Sequence, residues 1–384
     1  MLTEATLNAP EVYYPLVVEV CDVCFLAQVD EHKAATEIFD SDYTYFSSFS
    51  KSWLEHAERY ATMMINRFEL GPQSQVIEVA SNDGYLLQYF RDRDVPVLGV
   101  EPTANTAEVA VAKGIPTTVK FFGRKTAAEV AQEHGRPDLL LGNNVLAHVP
   151  DINDFVGGMS ILLKQGGVLT MEFPHLLKLM DENQFDTIYH EHFSYLSFGT
   201  VERIFAHHGL RLFDVDEIPT HGGSLRIYGC HADDASHPNT PAVERLRKVE
   251  IERGLQDLTT YGAFEARVKE TKRKLLRFLV DARDRGKKVV GYGAPGKGNT
   301  LLNYCGIRTD FLDYTVDRSP HKQGRYTPGT HIPILDPEQI RQTRPDYVLI
   351  LPWNLQEEIG RQLNYIREWG GRCVVPIPAV KVLD

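Results

Sequence analysis

Residues 186 to 197, DTIYHEHFSYLS, place a tyrosine, two histidines and a glutamate at four consecutive positions, Tyr189 to His192, in a chain of 384 residues with 14 histidines. Side chains of these types take, give and steer protons. In a helical turn Tyr189 and His192 share a face, whereas in an extended chain His190 and His192 do. Either way two proton-transfer groups converge. The order is not HExxH, so it is not a zinc-protease helix. His148, in GNNVLAHVPD, adds another imidazole in a loop expected to follow a strand. The bland alternative is a buried turn whose polar ends are simply hydrogen-bonded.

Positioning such groups needs a scaffold. From Gln75 to about Tyr228 short apolar runs (QVIEVA, PVLGVE, DLLLGNNV, GVLTMEF) alternate with helical ones (GYLLQYFRDR, NTAEVAVAKG, INDFVGGMSILLKQG). That alternation predicts a mostly parallel sheet covered on both faces. VERIFAHHGLRLFDVDEI and SLRIYGC then add a helix and two more strands. Ligands of such sheets sit beyond the carboxyl ends of the strands. The first of these ends reads EVASNDG, with Glu78, Ala80, Asn82, Asp83 and Gly84. Glu101 closes the second, placed to accept hydrogen bonds from ribose hydroxyls, and Asn143 and Asn144 lie at the third. Ala80, Ser81 and Asn82 stand where a pyrophosphate would want glycines, so a nucleoside without phosphates fits this half better.

Residues 241 to 286 are charged and helical in period, a connecting arm. A second alternating region follows, opening on KKVVGYGAPGKGN. Its GYGAPG, Gly291 to Gly296, is a Gly-x-Gly-x-x-Gly with Asp317 at the end of the next strand. Alone it suggests a nicotinamide dinucleotide and an oxidoreductase. Pro295 stiffens the turn, however, and Gly296, Lys297 and Asn299 extend into the helix start, a set better suited to the phosphates of a nucleotide sugar. Lys322 and Arg325, in SPHKQGRYTPG, lie nearby in sequence. A non-catalytic nucleotide-sensing module is a third reading, disfavoured by the cluster around His192.

The formal charge of -11 argues against a sequence-blind grip on nucleic acid. No apolar run is long enough for a membrane helix and no leader pattern is seen, so a cytoplasmic protein is expected. No uncommitted apolar helix face is evident, and a monomer is expected. Five cysteines at irregular spacing do not make a disulfide framework. Cys21 and Cys24 form one CxxC, half a zinc site, with His32 as the nearest further candidate. Two partly buried thiols in a hairpin are the simpler reading.

Three motifs, ASNDG, YHEHFSYLS and GAPGKGN, carry a resemblance that runs from about Val12 to the C-terminus. The chain resembles the S-adenosylmethionine-dependent sugar C-methyltransferases, which methylate a carbon of nucleotide-linked 4-keto-6-deoxy sugars. The resemblance implies an α/β protein. A small zinc-ribbon-like module would occupy residues 1–52, a class I Rossmann-like methyltransferase domain 53–235, the helical arm 236–286 and a second Rossmann-like domain, binding the nucleotide sugar, 287–384. It implies that His192 removes the C3 proton, that Tyr189, Glu191 and His148 bind substrate, orient His192 or stabilise the enolate, and that Tyr43 partly roofs the site. His190 would join the substrate contacts. Members of the family carry an earlier CxxC that completes a four-cysteine zinc site. This sequence does not include it, so zinc at Cys21 and Cys24 is doubtful here, through an internal start or a degenerate site.

Overall fold

The computed structural model describes residues 1–39, 43 and 45–383. The chain divides into two compact units, one of Val17–Leu177 with His190–Gln256, the other of Met1–Leu16, Lys178–Tyr189 and Asp257 onward. Residues 1–52, read as one module, are therefore shared between the units. So is the proton-transfer cluster, with Tyr189 in one unit and His190, Glu191 and His192 in the other. The charged helical stretch is also divided, into a helix Pro241–Glu252 in the first unit and Leu258–Asp284 in the second.

Among its described residues the first unit has strands β1 (Val18–Val20), β2 (Ala27–Val29), β3 (Val76–Val79), β4 (Val97–Val100), β5 (Thr117–Thr118), β6 (Leu139–Asn143), β7 (Val168–Pro174), β8 (Ser194–Tyr195), β9 (Leu210–Ile218) and β10 (Ser224–His231). Seven form one sheet in the order β5-β4-β3-β6-β7-β10-β9. β3 to β7 are parallel, and β10 and β9 close one edge antiparallel. Every residue of β3 and β6 is buried, the burial on both faces that continuous apolar runs require. The chain leaves β3 towards β4 and later returns on its other side as β6, so a switch point lies between β3 and β6. β1, β2 and β8 make a separate antiparallel sheet, which fixes the chain immediately after His192.

The helix Lys51–Phe68 covers part of the large sheet. Ser50 caps it by accepting from the Trp53 amide at 3.3 Å, and Ala57, Tyr60, Ala61 and Met64, three or four apart, form its buried stripe.

The second unit holds β11 (Val289–Tyr292), β12 (Thr315–Val316), β13 (Arg325–Tyr326), β14 (Pro333–Leu335), β15 (Tyr347–Ile350), β16 (Arg372–Val375) and β17 (Lys381–Val382), in the order β13-β14-β12-β11-β15-β16-β17. Its switch point falls between β11 and β15. Leu2 bridges to Tyr326, and Glu11 binds the Gly329 amide and the His331 ring, which ties the first residues of the chain to this unit. Among the described residues no helix is long and apolar enough to cross a membrane.

Candidate active site

The loops after β3, β4 and β6 converge at the first switch point. Ala80 and Asn82 take left-handed backbone (φ 55° and 49°), as does Asn144 (φ 56°). Such conformations cost about 1–2 kcal/mol in non-glycine residues and concentrate at working sites. Gly84 (φ 71°) continues the turn, and a Cβ there would lie 3.0 Å from Ile115 Cγ1. The Asn82 amide donates to Glu101 Oε2 at 2.8 Å, and the Thr103 amide donates to Glu101 Oε1 at 3.0 Å. Asp83 accepts from Ser48 Oγ and from Lys113 Nζ. Asn82 also accepts from the Ser47 amide and donates to the Tyr45 carbonyl, while Asn105 donates to the Tyr43 carbonyl. Tyr43, Tyr45, Ser47 and Ser48 are thereby tied to the loops after β3 and β4.

Several buried polar atoms here have no hydrogen-bond partner among the described residues: both carboxylate oxygens of Glu78, Asp83 Oδ1 and both ends of the Asn143 amide. Burial first, then the neighbouring Glu101 and Asp83 carboxylates, pushes Glu78 well above the usual carboxylate range. Tyr85 pulls it the other way without a well-formed hydrogen bond. Acceptors gathered in excess of local cations suit a ligand with positive charge and ribose hydroxyls. S-adenosylmethionine, with its sulfonium, ammonium and ribose, fits these residues.

His148 stands at the end of the loop after β6. Its ring centroid lies 4.6 Å from that of His192, with the planes at 83°. Phe39 packs edge-on to His148 (6.1 Å) and to Tyr43 (5.4 Å), and Tyr195 lies 6.3 Å from His192. Tyr43, His148 and His192, far apart in sequence, thus belong to one aromatic group. Burial pushes His148 down to about 4, against a backbone hydrogen bond with Glu191 that raises it. His148 is neutral at pH 7. Glu191 itself is exposed, and His190 turns to His32, 5.8 Å away.

A further buried group supports these loops. Through one oxygen Glu172 in β7 accepts from Arg226 Nε (2.7 Å) and ion-pairs with Nη2 (2.6 Å), and through the other it meets His56 Nε2 at 2.8 Å. Trp53 stacks on His56 (4.9 Å) and Tyr85 (5.9 Å). None of Trp53, His56, Glu172 or Arg226 was singled out from the sequence. The available signal was a carboxylate inside GVLTMEF and a guanidinium inside SLRIYGC, opposite charges within apolar runs that must be paired when buried. In the structure they face each other in register.

In the second unit, Gly296 and Lys297 follow β11 while Trp353 and Asn354 follow β15, flanking that switch point. Lys297 Nζ donates to Asn354 Oδ1 at 2.7 Å and sits 4.7 Å over the Trp353 ring. Trp353 Nε1 donates to Asp186 Oδ2 at 2.8 Å, and Asp186 Oδ1 is buried without a partner among the described residues. Burial pushes Asp186 up to about 7, with Lys297 opposing. Tyr189 borders Gly296, where a Cβ would lie 4.0 Å from its Cζ. Asn299 Oδ1 is likewise buried with no partner among the described residues. Asp317 accepts from the Ala294 amide (2.8 Å) and from Lys322 Nζ (3.2 Å), so the carboxylate that a dinucleotide ribose would use braces the turn instead. Pro295 caps the helix Gly296–Cys305, and Arg325 is exposed on the edge strand β13.

Cys21 and Cys24 lie in the turn between β1 and β2, where the Phe25 amide donates to the Cys21 carbonyl at 3.0 Å. No group of three or more potential metal ligands gathers among the described residues. Two thiols alone do not fit a structural zinc.

A doubly wound sheet with acidic groups at its first two strand ends is a Rossmann-type, nucleoside-binding core. Residues 53–215 match the family described as methyltransferase domain, and residues 219–378 match the C-methyltransferase C-terminal domain. The C-methyltransferase NovU of Streptomyces niveus is 37% identical over 377 residues, 97% of this chain and 89% of that one. The chain belongs to this C-methyltransferase family and is an S-adenosylmethionine-dependent C-methyltransferase. A ubiquinone biosynthesis O-methyltransferase of Rhodopseudomonas palustris (strain BisA53) is 23% identical over 158 residues, 36% of this chain and 62% of that one. Among solved structures, a SAM-dependent methyltransferase of Anabaena variabilis is 16% identical, with a TM-score of 0.39, over 47% of this chain and 86% of the other.

Proposed function

We propose that the acceptor is a nucleotide-linked 4-keto-6-deoxy sugar methylated at C3, and that His192 is the base. The observation that carries this reading is the packing of His192 against neutral His148 at the carboxyl end of β6. A carbon beside a ketone becomes nucleophilic when its proton is removed while the carbonyl oxygen is stabilised. His192 takes the C3 proton, and the pair left behind moves onto the C4 oxygen. His148, Tyr189, Glu191 and Tyr43 bind the sugar, hold His192 or donate to that oxygen, a contribution on the order of 10²–10⁴ in rate for positioned proton transfer. Glu78, Ala80, Asn82, Asp83, Gly84, Glu101, Asn143 and Asn144 hold the donor. Bound S-adenosylmethionine supplies an electrophilic methyl that C3 takes up, the sulfur keeping the bonding pair.

In the second unit Lys297 and the amides at the start of its helix suit the phosphates of the sugar nucleotide, with Asn299 and Tyr189 as further contacts. The domain limits inferred from the resemblance, the monomeric state and the cytoplasmic location belong to the same reading. The test is to incubate the enzyme with ¹³C-methyl S-adenosylmethionine and a thymidine diphosphate 4-keto-6-deoxyhexose. Carbon NMR should place the label on C3. Label on an oxygen, or none transferred while another ketone is methylated, would overturn the assignment.

A further inference from the structure

The turn between β9 and β10 carries a residue that neither the motifs nor the family assignment accounts for. His221 sits at its tip, in Thr220–Gly222, with left-handed backbone (φ 55°). The two residues after it are glycines at φ 92° and 114°, so the turn is one in which glycine is the unstrained choice. A histidine held there needs a compensating interaction. Its ring provides two. Asn144 Nδ2 meets His221 Nε2 at 2.8 Å, and Trp53 packs edge-on at 5.3 Å.

The register explains why this turn reaches the donor loops. β10 starts at Ser224 opposite Pro174, the last residue of β7, so the turn lies at the same end of the sheet as the loops after β3 and β6. Asn144 is the strained residue immediately after β6, its amide nitrogen bonded to the Glu172 carbonyl at 2.8 Å. With Nδ2 directed to His221, the other end of the side chain, Oδ1, is buried and has no partner among the described residues. Trp53 in turn links His221 to Tyr85, directly after Gly84.

We propose that His221 is a positioning residue for donor binding: from the β9–β10 turn it orients the Asn144 amide, presenting Oδ1 as an acceptor to S-adenosylmethionine, and holds Trp53 as an adjoining wall. The inference rests on the donor lying in the loops after β3, β4 and β6. Glycine at 221 removes the ring and its contacts while relieving the backbone.

The test uses the full chain and S-adenosylhomocysteine in titration calorimetry. His221→Gly should weaken binding about tenfold, the equivalent of about 1.4 kcal/mol and within the range for a hydrogen bond to a ligand-facing group. Its melting temperature should be equal to or above that of the wild type. KM for S-adenosylmethionine should rise in parallel, with kcat at saturating donor changed less than about twofold. Glu101→Ala provides the separate check on the donor site. If Glu101→Ala weakens binding and His221→Gly does not, the role of His221 is overturned while the donor site stands. If neither weakens it, both fall. Weaker binding accompanied by a lowered melting temperature would make His221 a purely structural residue and equally overturn the proposal.

Discussion

Replacing Glu172 by glutamine should be among the most damaging isosteric changes in the first unit. The wild-type carboxylate is fully buried, accepts a hydrogen bond from Arg226 Nε, pairs with Arg226 Nη2 at 2.6 Å and meets His56. Glutamine keeps the shape but removes the charge, leaving the Arg226 guanidinium, 5% exposed, with Asp216 at 3.6 Å as its nearest remaining counter-charge. Breaking a buried pair from one side costs about 3–5 kcal/mol. For a unit of this size that lowers the melting temperature by about 6–20 °C. The pH dependence has a definite sign. Burial raises the Glu172 carboxyl, but His56 and Arg226 outweigh it and hold the group below its usual value. Its contribution is therefore present above the unfolded carboxylate pKa and is lost as pH falls through the lower folded value. Urea unfolding at pH 7.5 should show the full deficit in Glu172→Gln, and the gap to wild type should narrow towards pH 3. Adding Arg226→Met, which removes the stranded charge, should recover a large part of the loss. A Glu172→Gln protein within about 1 kcal/mol of wild type at pH 7.5 would refute the reasoning, because an unpaired buried guanidinium cannot be that cheap.

Asp186→Asn should act in the opposite sense. A carboxyl pushed up to about 7 by burial disfavours ionisation in the fold, so wild type loses stability as pH rises from about 4 to about 7. The variant should gain on it over that window, by at most about 4 kcal/mol at pH 8, and a pH-independent difference in melting temperature would contradict this. Gly84→Ala combines a left-handed backbone with a 3.0 Å approach to Ile115 and should lower stability by about 1–2 kcal/mol, measured by thermal unfolding. The His148 ring should titrate with a midpoint near 4 by NMR, and a midpoint at 6 or above would contradict its burial.

Most of the sheet was legible because parallel strands buried on both faces have to be apolar throughout. QVIEVA and DLLLGNNV contain β3 and β6, and the acidic ends at Glu78 and Glu101 stand where the reading placed them. β5, two half-buried threonines, has too little pattern to register. The helix Arg124–His134 was missed for a related reason: its buried face is Thr126, Ala127 and Val130, small side chains with little apolar contrast. GYLLQYFRDR yields a helix of only five residues, Leu87–Arg91, because the turn through Gly84 takes up the first positions. The charged helical arm holds two helices, as its two clearest parts suggested, but its charged period does not encode that they belong to different units. Within the site, the YHEH string was conspicuous and its association with His148 was anticipated from loop order. The wall of Trp53, His56 and His221 was not: Trp53 and His56 are helical neighbours three apart, but the contact that brings His221 to them spans more than 160 positions and leaves no local spacing to detect.

The proton-abstraction step can be isolated from methyl transfer. With S-adenosylhomocysteine in place of the methyl donor, the enzyme and a thymidine diphosphate 4-keto-6-deoxyhexose in D₂O should show loss of the C3 proton signal, and His192→Asn should abolish that exchange while still binding S-adenosylhomocysteine. C3 exchange at the wild-type rate in His192→Asn would contradict the assignment of His192 as the base.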